Sequence, residues 1–132
     1  MLPQQIYCVI IALLMLAACS GPSPEEQAAE AAKAYYERLL EGYPDGFFAG
    51  KANADSMPSD YRRWMTKTVE QYMKDMNARH KGLTAVSISP NVGRRDSTLG
   101  ITYAFLLLSF ADSTQEEIAV PMVEKDGEWK MR

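Results

Sequence analysis

Apolar residues follow three rhythms along the chain. Residues 6–18 are apolar without a break. From Ala28 to Met76 the apolar positions recur every three or four residues, the helical period. After Gly82 they alternate, the strand period. Ser23-Pro24-Glu25-Glu26 reads as a capping box with proline in the first helical turn, so a helix starts at Pro24. Alanines 28, 29, 31, 32 and 34 and Tyr35, Tyr36, Leu39 and Leu40 carry it to a stop at Gly42. Tyr43-Pro44-Asp45-Gly46 predicts a turn and residues 47–49 a short helix, with a polar loop over 50–59. A long helix is predicted over 58–81, ended by Gly82. Its apolar face is Tyr61, Trp64, Met65, Thr68, Val69, Tyr72, Met73 and Met76.

Strands are predicted over 83–89, closed by Pro90, then over 98–110, 116–124 and 129–132. Residues 91–96 read as a polar loop carrying Arg94 and Arg95. In the second strand, Leu99, Ile101, Tyr103, Phe105 and Leu107 share one face, expected to be concave. Leu106, Leu108 and Phe110 make the far end apolar on the other side as well. Asp126-Gly127 tolerates the positive φ of a tight hairpin turn. Pro121 has no donor for a ladder, which places it on an edge or in a bulge. Helices followed by antiparallel strands predict an α+β domain, with N-terminal helices packed on a curved antiparallel sheet of about four strands.

The unbroken stretch is an address. Thirteen residues fit a signal-peptide core and fall short of the roughly 20 needed to span a bilayer. Leu16-Ala17-Ala18-Cys19-Ser20 is similar to a bacterial lipobox, in which the cysteine is acylated and becomes the new N-terminus. The expected organisation is a lipoprotein signal peptide over 1–18, a lipidated tether over 19–24 and one domain over 25–132. A leader normally opens with Lys or Arg, and this one has neither before Cys19. By likeness to Gram-negative lipoproteins, non-acidic Ser20 implies the outer membrane, with the membrane partner reached through lipid on Cys19. Residues 20–24 extend about 17 Å at most, which keeps the domain near the bilayer.

Composition narrows function by exclusion. The chain has 132 residues and a net charge of −3, which disfavours nucleic acid. Cys8 leaves with the leader and Cys19 carries lipid, so no cysteine chemistry or cysteine–metal site is expected in the domain. His80 is the one histidine, among Arg79 and Lys81 at a helix end, where a cation suits the dipole. No metal site and no cofactor are expected. Asp45, Asp55 and Asp60 read as caps and turns. Tyr35, Tyr61, Trp64, Tyr72, Tyr103 and Phe105 are candidates to line an apolar ligand pocket, against the plainer reading of core packing.

Ala34-Tyr35-Tyr36 with Leu39-Leu40-Glu41-Gly42, Tyr61-Arg62-Arg63-Trp64-Met65, and the ending Val123-Glu124-Lys125-Asp126-Gly127-Glu128-Trp129-Lys130-Met131 resemble bacterial lipoproteins carrying a domain of unknown function. That domain is of the nuclear-transport-factor-2-like, or cystatin-like, superfamily. The resemblance implies a sheet wrapped around the long helix with a cone-shaped pocket at one end. It also implies homodimers through the open sheet face, for which the apolar far end of the second strand would serve. Enzymes of the superfamily place carboxylates, His or Tyr in the pocket. The concave candidates here include no carboxylate or imidazole, so the expectation is that the chain is not an enzyme. The expected function is a lipid-anchored, non-catalytic envelope module of unknown specificity that binds a partner or supports a larger assembly. The alternatives are a carrier or sensor of a small apolar ligand held between the long helix and the sheet, and a hydrolase or isomerase using Tyr and Asp.

Overall fold

The computed structural model describes residues 21–132. The signal peptide expected over 1–18 and the acylated Cys19 lie outside the described residues. Helix α1 (Pro24–Leu40) starts as expected: the Ser23 hydroxyl accepts from the Glu26 amide at 3.2 Å, and Pro24 occupies the first turn. It ends before Gly42, whose φ of 76° only glycine adopts without strain. Helix α2 (Pro44–Phe48) is one short turn. A 3-10 turn at Ala54–Ser56 leads to helix α3 (Ser59–His80). Strands β1 (Leu83–Asp96), β2 (Ile101–Phe110), β3 (Gln115–Lys125) and β4 (Glu128–Met131) follow, all antiparallel, in the spatial order of the chain.

The core lies between α1 and the sheet. Ala28, Ala29 and Ala32 are fully buried, and their small side chains let the helix approach β1 and β2 closely. Phe48, Leu106 and Met122 fill the space, each burial contributing about 1.5–3 kcal/mol. The sheet therefore covers α1, not the long helix, as the resemblance had implied. α3 lies at the margin, against α2 and β1, and Met76 is its one buried residue. Its broad apolar stripe splits into two rows. Met65, Val69, Met73 and Met76 meet the core, whereas Tyr61, Trp64 and Tyr72 stay exposed.

Three strand expectations change. β1 runs through Pro90 to Asp96, absorbing it in a bulge between Ile88 and Gly93. Such an insertion takes up unpaired residues without ending the strand. In β2 the core face is Thr102, Ala104, Leu106, Leu108 and Phe110, with Tyr103, Phe105 and Leu107 on the opposite face. Leu99 is an exposed turn residue. The patch expected to pair two copies, Leu106, Leu108 and Phe110, is thus buried inside the domain. Pro121 sits in β3, between two neighbours, in unbroken register with Tyr103. Arg132 N donates to Pro121 O at 2.9 Å, so the proline's missing donor faces the β4 side and the β2–β3 ladder stays whole.

Candidate functional site

The six aromatic candidates do not meet in one pocket. Tyr35 on α1 is half-buried and donates its hydroxyl to Trp129 O at 2.8 Å, tying the helix to β4. Trp129 Nε1 donates to Gln27 Oε1 at 3.2 Å, a second tie of the same kind. Tyr103 and Phe105 lie on the outer sheet face, with the Arg94 guanidinium 5.7 Å from the Tyr103 ring centre. Tyr72 stands in the exposed row of α3, with its hydroxyl pKa raised by partial burial and then by Glu116. Tyr36, which is more enclosed, packs edge-on against Phe47 at 5.2 Å, and burial raises its pKa too. Tyr61 and Trp64 are the pair brought together: one helical turn apart, their rings stack at 5.9 Å.

Tyr61 opens onto a cleft of about 370 Å³ at the N-terminal end of α3. Met57, Tyr61 and Met65 line it together with Lys51, Ala52, Asn53 and Arg132. The chain ending is pinned there: Met131 N donates to Gly50 O, Ala52 N to Met131 O, and Lys51 Nζ to Arg132 O at 3.0 Å. A second cleft, of about 290 Å³, lies between the end of α1 and the middle of α3, lined by Leu39, Val69, Glu70, Met73 and Lys74 among others. Both exist because α3 is seated along one narrow row of side chains and leaves open space on either side. Both are near the lower bound for small-molecule sites, about 300 Å³.

Sequence reasoning missed two polar clusters. His80 Nδ1 lies 3.0 Å from Asp112 Oδ2, and the imidazole stacks on Phe110 at 4.7 Å between ring centres. The Thr114 hydroxyl donates to the other carboxylate oxygen of Asp112. That hydroxyl, followed by the Thr114 amide and His80, holds the Asp112 pKa down at about 2. On the outer face, buried Ser89 donates to Glu117, and Asn91 Nδ2 donates to the same oxygen at 3.1 Å. Neither cluster opens onto the clefts described above. Spacing could not have found them, because their members are brought together from distant strands and turns. Among the described residues, no three His, Cys, Asp or Glu side chains converge to hold a metal, and no helix is long and apolar enough to cross a membrane.

No protein-family model matches the chain, and no curated protein matches it. Among solved structures it is similar to the crystal structure of "Putative NTF2-like transpeptidase" from Campylobacter jejuni, with a TM-score of 0.57 and 14% identity. The match covers 77% of this chain and 94% of that one. It corrects one expectation. A fold shared with a chain named as a transpeptidase removes the ground for calling this one not an enzyme, because a missing constellation in the sequence does not exclude catalysis on this fold. At that identity the likeness carries the architecture and no substrate. The fold is α+β and nuclear-transport-factor-2-like: helices on a curved four-stranded antiparallel sheet.

Proposed function

We propose that the chain is a lipid-anchored ligand-binding module of the cell envelope, held at the outer membrane through acylated Cys19, with its ligand seat against the first turns of α3. One observation carries the seat: the cleft beside Tyr61, with two methionine thioethers and an aromatic ring on its wall. Methionine adapts its shape to what it meets, which suits a binding wall. The anchor is supported by the uncharged apolar leader and the Leu-Ala-Ala-Cys ending. Two or three acyl chains hold a protein stably where one does not.

Tyr61→Ala is expected to lose the small molecule that accompanies the protein out of the membrane, and Tyr103→Ala to retain it. Mass spectrometry of the extracted variants reads both. Equal loss or equal retention in the two variants overturns the seat. Cys19→Ser is expected to leave an uncleaved, unacylated chain, and a normal mature mass in that variant would end the anchor reading. The exposure of Trp64, 59%, favours a second reading, in which an envelope protein docks on the outer side of α3. In that case Trp64→Ala releases the protein partner and no small molecule is found.

A further inference from the structure

The cleft beside Tyr61 has a charge pattern that narrows its ligand. Its lining includes two cationic side chains, Lys51 and Arg132, and no acidic one. Neither cation pairs with an Asp or Glu side chain within 4.0 Å among the described residues, and Lys51 Nζ, which gives one donor to Arg132 O at 3.0 Å, has two more N–H groups to offer. Asp55, Asp126 and Glu128 line the adjoining polar cleft, which shares only Lys51 and Ala52 with this one. The same cleft is lined by Met57, Met65 and the Tyr61 ring.

We infer that this cleft takes a single-chain anionic amphiphile, its acid group at Lys51 and Arg132 and its hydrocarbon against Met57, Tyr61 and Met65. The inference rests on the ligand-binding reading above and names the class of its ligand. A guanidinium matches a carboxylate or phosphate with two parallel donors, and an ammonium adds a mobile third. The Asn53 amide is available to the same group. A volume of about 370 Å³ suits one chain, not the face of a bilayer.

The test uses Trp64, whose ring stacks on the Tyr61 that lines the cleft. In a Trp129→Phe background all tryptophan emission comes from Trp64, which senses the cleft through the stacked Tyr61 ring. Sodium decanoate, 1-decanol and decyltrimethylammonium are titrated below their aggregation limits, with backbone amide shifts of Ala52 and Asn53 as a second readout. Decanoate is expected to bind about tenfold or more tightly than decanol, as a charge-assisted contact allows. The cationic probe should bind weakest. Lys51→Ala with Arg132→Ala should bring decanoate and decanol to near equality, and the charge-keeping pair Lys51→Arg with Arg132→Lys should restore the preference. Equal binding of decanoate and decanol to the unaltered cleft overturns the anionic assignment and leaves an apolar seat standing. Silence with all three probes overturns the seat itself. A response confined to phosphatidylglycerol vesicles, with none to decanoate, overturns the inference in favour of surface contact.

Discussion

Asp112 sits at the turn between β2 and β3, where the Thr114 hydroxyl and amide and the His80 ring all favour its charged form. Its folded pKa, about 2, is below the ordinary 3.8. A depressed carboxylate pKa contributes stability that is present above the unfolded value and lost as pH falls through the folded one. Asp112→Asn is therefore expected to lower Tm at pH 5.5, and the gap to the parent should close between about pH 4 and pH 2. Thermal melts across that range check it, and a gap unchanged at pH 2 would contradict the assignment. At this scale, local features were legible in the sequence. The Ser23 cap forms, and Asp126 and Gly127 both take the positive φ of the hairpin turn, 53° and 80°. The His80–Asp112 contact was not legible. His80 reads as a cation at a helix end, and its partner is known only once α3 is docked beside the β2–β3 turn.

Elements were legible where one period dominates and ambiguous where both faces are apolar. In β2, Tyr103, Phe105 and Leu107 are as hydrophobic as Ala104, Leu106 and Leu108. Alternation alone cannot say which set faces the core, and α1 settles it by covering the even positions. α3 shows the same ambiguity on a helix. Its apolar stripe is wide enough for two rows, and only the methionine and valine row finds a partner. The β1 bulge was hidden because Pro90 signals an end, while the hydrogen bonds resume beyond it at Gly93. Glycine is needed there, since a Cβ would stand 2.5 Å from the Tyr103 carbonyl oxygen. Gly93→Ala must push β1 away from β2 and should cost about 1–3 kcal/mol, measured by chemical denaturation. A change near zero would mean that the bulge relaxes freely.

For the whole molecule, the order of helices and then antiparallel strands was enough to give the fold class, and the motifs on α1, α3 and the final hairpin pointed to the right architecture. What they could not give is which helix the sheet covers. That choice depends on side-chain size at the contact: alanines on α1 permit close approach, and the longer methionine and valine row of α3 holds that helix further out. The pocket candidates are spread over the molecule for the same reason: they were aromatic positions chosen before the position of α3 was known, and Tyr61 alone of them lines the cleft described above. With α3 at the margin, open clefts flank it, and one of them joins an apolar wall to two cations. The central claim is an acylated chain carrying a small ligand. Native mass spectrometry of the protein, extracted gently from its own membrane, tests both halves at once. The expected spectrum shows a chain beginning at Cys19, heavier by its acyl groups, with a further mass released on activation as a single-chain acid. A chain that still carries residues 1–18, or an acylated chain with nothing bound, would contradict it.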